Sequence, residues 1–182
     1  MIFTPIEYTL KDGRKLTLRP PMEADAQEMI DFRVQTAGET HFLMNYPEEL
    51  EGYSLEKQLG FINRMQMADD FMAVAVVDGR IAGTCQISFN TRLKTQHKAG
   101  IGIAILKEFW GLGIGSAMFT EMLKRAEKRE GLLLVELEVL EGNERGIALY
   151  RKFGFEIVAE IPDAIRLKDG TMLKEIKMMK KL

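Results

Sequence analysis

The segment Phe109–Ser116, with the sequence FWGLGIGS, is the feature that most restricts how this chain can fold. An apolar, strand-like run from Ile101 to Leu106 precedes it, and a helix-like run from Ala117 to Arg129 follows it. A glycine-rich turn that opens a helix presents several backbone N–H groups, and the helix dipole adds partial positive charge there. The sequence therefore predicts a strand, a tight turn and a helix that together bind a phosphate group.

Two common phosphate-binding motifs do not match this turn. A P-loop has Lys followed by Ser or Thr after its glycines, and no such pair follows here. In the dinucleotide fingerprint GxGxxG, the third glycine position is occupied by Ser116. A turn whose glycines serve tight geometry alone stays open as the structural alternative.

Composition and charge place the chain in a broad class. Its 182 residues are 46% apolar and 29% charged, which is typical of one globular domain with a sizeable core. The net charge of −2 argues against general nucleic-acid binding, because such binding needs a basic surface. We therefore expect no nucleic-acid partner.

The sequence also indicates the cellular compartment. Cys85 is the only cysteine, so no internal disulfide is expected. The N-terminus lacks the charged-then-apolar pattern of a signal peptide, and no apolar run is long enough to span a membrane. We expect a cytoplasmic protein without a membrane partner. No spacing of His, Cys and carboxylate residues predicts a metal site.

Alternating apolar periods and turn signals predict the element order ββ-αα-βββ-α-β-α-ββ. Asp12-Gly13 and Asp78-Gly79-Arg80 are predicted hairpin turns, and Ser54 is a predicted N-cap. From Leu133 onward, alternate apolar residues predict a strand with Glu136 and Glu138 on its other face. This order is that of a mixed α/β domain.

A second segment, Asn143–Phe155 with the sequence NERGIALYRKFGF, is decisive beside the glycine turn. Together the two segments resemble the acyl-CoA-dependent N-acetyltransferases of the GNAT superfamily. The resemblance implies an α/β (α+β) fold with a mixed, mostly antiparallel central sheet of about seven strands flanked by helices. It also implies two parallel strands that splay at the acetyl-CoA site, and one N-acetyltransferase domain over residues 1–182.

The resemblance assigns the residues that bind acetyl-CoA. Gly113 and Gly115 match the glycines of the family's pyrophosphate signature, and Trp110 stands where Gln or Arg is usual. Asn143 matches a family Asn that hydrogen-bonds the pantetheine arm. The implied cofactor-binding residues are Ile103, Ala104 and Ile105, whose backbone would pair with the same arm, together with Gly111, Leu112, Gly113, Ile114, Gly115, Ser116 and Asn143.

Tyr150 is the candidate general acid. Aminolysis of a thioester needs a proton for the departing thiolate, and a tyrosine hydroxyl can donate it. Tyr150 lies in the segment LYRKFGF, which matches the family's acid-bearing segment, so the resemblance implies this role. The structural alternative is a half-buried Tyr that packs its helix on the sheet.

The candidate base is Glu138, with two alternatives left open. Its context Leu137-Glu138-Val139 resembles that of bacterial ribosomal-protein alanine acetyltransferases, in which the corresponding Glu is the base. Many relatives carry a Glu on the preceding strand, where this chain has Gly100. His97 or a chain of water molecules is the alternative base, and a solvent-facing Glu138 without a catalytic role is equally compatible with the alternation.

These observations predict an N-acetyltransferase that transfers an acetyl group from acetyl-CoA to a primary amine in a ternary complex. The alternative from another class is a non-catalytic acyl-CoA-binding sensor with the same fold. The family resemblance is compatible with a homodimer. The acceptor stays open between a protein or peptide N-terminus, a polyamine, an amino acid and an aminoglycoside-like drug, and the sequence does not indicate the preferred acyl length.

Overall fold

A computed structural model describes residues 2–182. Its elements follow the predicted order ββ-αα-βββ-α-β-α-ββ. The strands are β1 (Ile6–Thr9), β2 (Lys15–Arg19), β3 (Phe71–Val77), β4 (Arg80–Phe89), β5 (Lys98–Ile105), β6 (Leu134–Leu140), β7 (Glu156–Arg166) and β8 (Met172–Lys181). The helices are α1 (Ala26–Glu39), α2 (Leu55–Met67), α3 (Ile114–Lys128) and α4 (Glu144–Lys152). None of the helices in this described part of the chain is both long and apolar enough to cross a bilayer.

The described strands form an eight-stranded sheet in the order β1-β2-β3-β4-β5-β6-β8-β7, one strand more than the expected seven or so. The pairs β1–β2, β2–β3, β3–β4, β6–β8 and β7–β8 are antiparallel. The pair β5–β6 is parallel, and its register runs from Lys98 opposite Leu134 to Gly100 opposite Glu136. The mixed, mostly antiparallel sheet confirms the predicted fold class.

Backbone contacts divide the chain into two compact units. The first comprises Met1–Ser88 and Gly102–Met122, and the second comprises Phe89–Ile101 and Leu123–Leu182. The core of the first unit includes the fully buried side chains of Leu16, Leu18, Ile62, Phe71, Met118 and Phe119. The core of the second unit is built from side chains on β6, α4 and β8, among them Val135, Leu137, Ile147, Ile176 and Met178.

Most local predictions match the structure. Ser54 is the N-cap of α2, and its hydroxyl oxygen accepts a hydrogen bond from the Lys57 N–H. The apolar side predicted for α3 is buried along its length, from Ile114 to Ala126. Leu133 is the exception, because it precedes β6 and its side chain is 58% exposed. The strand therefore begins one residue later than the alternation suggested.

Strand β7 is longer than the sequence indicates, because it continues through Pro162 to Arg166. Proline lacks an N–H donor, so strands tolerate it at an edge or a bulge. Here β7 is the last strand of the sheet, its register on β8 shifts between Ile161 and Ile165, and Asp163 has a φ of 53°. These features make the outer edge of β7 a poor template for a further strand.

A buried ion pair joins β2 to the start of α1. The Arg19 guanidinium donates hydrogen bonds of 2.6 and 2.7 Å to the Asp25 carboxylate, which also accepts the Met22 N–H at 2.7 Å. The Asp25 side chain is only 7% exposed. Burial alone would raise the pKa of Asp25, but the hydrogen bonds from Arg19 and Met22 outweigh it and hold the pKa below its usual value.

We expect Asp25→Asn to destabilise the fold by about 3 kcal/mol at neutral pH, because it leaves the largely buried Arg19 charge without its partner. The lowered pKa means that the pair stabilises the fold above the ordinary carboxyl pKa of 3.8 and loses this effect as the pH falls through the folded value. The difference between wild type and variant should therefore shrink below about pH 4. Urea unfolding at pH 7 and pH 3 measures it. Glu160→Gln, which breaks an exposed ion pair with Lys174, is the control, and an equal effect from both variants would contradict the prediction.

Candidate functional site

The backbone of the glycine turn has the conformation that the sequence required. Gly111 and Gly113 have φ values of 84° and 105°, a region that side chains with a Cβ rarely adopt. Helix α3 starts directly after them, and its first hydrogen bond runs from the Ala117 N–H to the Gly113 carbonyl at 3.1 Å. The N–H groups of Ile114 and Gly115 precede that bond, so they lie at the positive end of the helix dipole.

The space around the turn suits an anion. A Cβ added to Gly111 or to Gly113 would meet no other atom within 4 Å. A lack of space for a side chain therefore does not explain why glycine occupies these two positions. Their positive φ values do. Open space beside these two glycines at the start of a helix is compatible with the approach of a diphosphate.

Three hydrogen bonds hold the segment that leads into the turn. The Trp110 indole N–H donates to the Ile105 carbonyl at 2.8 Å, and the Lys107 N–H donates to the Glu39 carboxylate at 2.7 Å. The Leu112 carbonyl accepts the Lys11 N–H at 3.1 Å. Sequence reasoning missed the bonds of Glu39 and Lys11, and no local signal could have revealed them, since they join segments far apart in the chain.

Strand β5 carries the predicted pantetheine-binding residues just before this segment. Ile103, Ala104 and Ile105 are half-buried, and they follow Gly100, which pairs with Glu136 of β6. On the β4 side the backbones are very close, because a Cβ on Gly83 would lie 2.9 Å from the Ala104 carbonyl oxygen. Glycine at position 83 therefore lets β4 and β5 pack together.

Asn143 has a structural role that the sequence did not show. It is the N-cap of α4, and its Oδ1 accepts the Gly146 N–H at 2.9 Å. A Cβ on Gly146 would lie 2.9 Å from the Asn143 side chain, which explains the glycine there. The cap uses the amide oxygen, and the NH2 group of the same side chain has two donors of its own.

Tyr150 lies on α4 and is buried, with 8% of its surface exposed. Its ring packs at a tilt against Phe155, with 6.5 Å between the ring centroids. Burial raises the pKa of the Tyr150 hydroxyl to about 12. The phenol therefore stays protonated, and able to donate, throughout the physiological pH range.

Glu138 has the opposite environment. It is exposed on β6, and its carboxylate forms a 3.0 Å ion pair with Lys177 on β8. The hydrogen bond with Glu138 raises the pKa of Lys177, with smaller contributions from Glu175 and Glu136. Glu136, on the same strand, pairs with Lys98 at 3.5 Å. This exposed position is the solvent-facing arrangement that the alternation of β6 left open, and the partner Lys177 was not foreseen.

The remaining candidates fall in less specific surroundings. His97 is half-buried in the turn before β5, and its carbonyl accepts the N–H groups of Leu133 and Leu134. Cys85 is buried within β4, as expected for a core residue. Over residues 2–182, no group of three or more His, Cys, Asp and Glu side chains is arranged to hold a metal ion.

The predicted site residues divide between the two compact units. The first unit contains the pantetheine-binding residues of β5 and the turn Gly111–Ser116, which are consecutive parts of one strand-turn-helix. The second unit contains Glu138, Asn143 and Tyr150, on β6 and at the start and middle of α4. The first unit thus contains the positive-φ glycine turn, and the second contains the buried Tyr150.

Comparisons with known proteins bear on the family and the fold. The model of the acetyltransferase (GNAT) family matches residues 35–155. An L-amino acid N-acetyltransferase of Escherichia coli is 32% identical over 84 residues, which are 46% of this chain and 52% of that protein. An N-alpha-acetyltransferase of Sulfurisphaera tokodaii is 31% identical over 106 residues, 54% of this chain and 64% of that protein. The chain therefore spans between about half and two thirds of the length of these two relatives.

Solved structures share the fold. An acetyltransferase of the GNAT family from Streptococcus pneumoniae has a TM-score of 0.85 at 26% identity, over 92% of this chain and 99% of its own. An acetyltransferase of Salmonella typhimurium, whose structure includes its cofactor acetyl-CoA, has a TM-score of 0.78 at 17% identity, over 92% and 94% of the two chains. The latter likeness concerns the fold alone.

Asn143→Ser separates capping from cofactor binding. Serine still offers an oxygen to the Gly146 N–H, so the melting temperature should stay close to that of wild type. If the amide NH2 donates to the cofactor, the variant should bind acetyl-CoA roughly 3- to 10-fold more weakly, the range for one hydrogen bond. Calorimetric titration measures this loss. Asn143→Ala is the comparison, because it should also cost about 1 kcal/mol of stability. Equal acetyl-CoA affinity in wild type and Asn143→Ser would limit Asn143 to its capping role.

Proposed function

The chain belongs to the GNAT acetyltransferase family, and from this premise we propose that it transfers an acetyl group from acetyl-CoA to a primary amine by direct attack in a ternary complex. Acetyl-CoA supplies the acetyl group already activated as a thioester. The observation that carries the proposal is the strand-turn-helix at β5 and α3. Its positive-φ glycines and first-turn N–H groups suit a diphosphate.

The protein's own groups bind the cofactor, polarise the thioester and donate a proton in this reaction. The N–H groups from Gly111 to Ser116 bind the diphosphate, and the backbone of Ile103–Ile105 pairs with the pantetheine arm. A backbone N–H of the same β5 segment polarises the thioester carbonyl. Tyr150 donates the proton that the departing thiolate needs, and its burial supports this role because it keeps the hydroxyl neutral.

We propose that residues 1–182 act as one N-acetyltransferase domain. The assigned cofactor-binding backbone belongs to the first compact unit, and Tyr150 belongs to the second.

The acceptor that we propose is an α-amine. One curated relative is named for L-amino acids and the other for N-alpha acetylation. Both names describe an amine on the α-carbon, although each match covers only part of the relative. Free amino acids and peptides with an unblocked N-terminus are therefore the first acceptors to test, with a polyamine as the comparison.

Thiol release from acetyl-CoA, measured with this amine panel, tests the proposed function. We expect release with an α-amine, together with a mass increase of one acetyl group on the amine. Tyr150→Phe keeps the ring and removes the proton donor, so turnover should fall ~10²-fold while acetyl-CoA binding persists. Because the pKa of Tyr150 is about 12, wild-type activity should not decline between pH 8 and 10 through ionisation of this group. Binding of acetyl-CoA without thiol release for any amine would indicate a sensor and contradict the proposal.

Glu138 is the proposed base, which accepts the amine proton directly or through water. Glu138→Gln should keep binding of both substrates but lower kcat, because glutamine cannot accept the proton. Glu136→Gln is a matched control on the same strand, since both carboxylates are paired with a lysine. Steady-state kinetics from pH 5 to 9 provide the comparison. If both substitutions reduce activity equally, the effect is general electrostatics, and the base lies elsewhere.

A further inference from the structure

The side chain of Trp110 turns back onto the strand that precedes it. Its indole N–H donates to the carbonyl of Ile105, the last residue of β5, at 2.8 Å. Its backbone N–H also donates to the Lys107 carbonyl at 3.1 Å, which closes a single helical turn over Lys107–Phe109. The residue directly before the glycine turn is thus tied to the end of the strand.

Other elements hold the same segment from outside. The Glu39 carboxylate accepts the Lys107 N–H, and the Lys11 N–H bonds the Leu112 carbonyl. The Arg14 guanidinium lies over the Phe109 ring, 5.3 Å from its centroid. These contacts fix the segment against α1 and the β1–β2 hairpin. The Trp110 bond differs from them because it joins the two parts of the proposed cofactor site to each other.

We infer that Trp110 is a positioning residue that sets the spacing between the β5 backbone at Ile103–Ile105 and the glycine turn. The inference rests on the proposed function, in which one cofactor contacts both parts. A ligand that bridges two rigidly spaced parts loses less free energy to ordering the protein than one that must align them. A carbonyl oxygen has two lone pairs, so the bond with Trp110 leaves the Ile105 carbonyl able to accept a second donor.

The spacing role predicts different effects on a bridging ligand and on a fragment. Trp110→Phe keeps an aromatic ring but removes the N–H donor. Acetyl-CoA, which bridges both parts, should bind roughly 3- to 10-fold more weakly, the range for one hydrogen bond. The fragment 3′-phosphoadenosine 5′-diphosphate reaches only the turn, and its affinity should not change. Isothermal titration calorimetry with both ligands measures the two effects.

Two further variants complete the design. Gln66→Met is the matched control, because it removes a side-chain N–H bond to a backbone carbonyl, that of Pro21 at 3.0 Å, away from the turn. It should leave both affinities unchanged. Trp110→Gln restores a donor on a different side chain and should recover part of the acetyl-CoA affinity. If Trp110→Phe does not fold, Trp110→Gln takes its place. The ratio of acetyl-CoA affinity to fragment affinity is then compared between Trp110→Gln and wild type.

Kinetics give an independent readout. The KM for acetyl-CoA should rise in Trp110→Phe by the same factor as its Kd, whereas kcat and the KM for the amine should stay unchanged. Equal acetyl-CoA affinity in the variant and wild type would overturn the inference. An equal loss for acetyl-CoA and for the diphosphate fragment would also overturn it, since Trp110 would then support only the turn. If wild type itself fails to bind acetyl-CoA, the proposed function fails first and the inference with it.

Discussion

The change of direction between β5 and α3 is the constraint on which the proposed cofactor site depends. The chain passes from β5 to α3 within a few residues, and Gly111 and Gly113 in this segment have φ values of 84° and 105°. A residue with a Cβ would be strained there even though the space is open. The backbone groups proposed to bind a diphosphate and those proposed to pair with the pantetheine arm therefore follow one another directly in the chain.

The elements that depend on short-range signals could be predicted from the sequence. The strand-turn-helix, the Ser54 cap and the apolar side of α3 all follow from residues close together in the chain. Interactions between distant segments could not be predicted. The bond of the Lys107 N–H to Glu39 spans 68 positions, and the partner of Glu138 is on β8. The exposure of individual side chains could not be predicted either. The alternation of β6 shows on which face Glu138 lies but not whether that face is exposed.

Tyr150 and Glu138, the proposed acid and the proposed base, lie in contrasting environments. Burial penalises the charged form of the Tyr150 hydroxyl, so it raises the pKa to about 12 and preserves the donor. This favours the proposed general acid, because the hydroxyl keeps its proton until the thiolate leaves. Glu138 is exposed beside Lys177, where a charged carboxylate is well solvated and paired. The proposed acid is therefore buried, whereas the proposed base is exposed and paired with a lysine.

The family match begins at residue 35, yet two contacts that hold the glycine segment come from before it. The Lys11 N–H bonds the Leu112 carbonyl, and the Arg14 guanidinium lies over the Phe109 ring. The β1–β2 hairpin thus supports a turn whose own sequence carries the family signature. The backbone N–H of Lys11 does not depend on the side chain there, whereas the cation–π contact needs a cationic side chain at position 14. The signature of the turn can therefore be clear in sequence while the structure that holds its backbone in place is not.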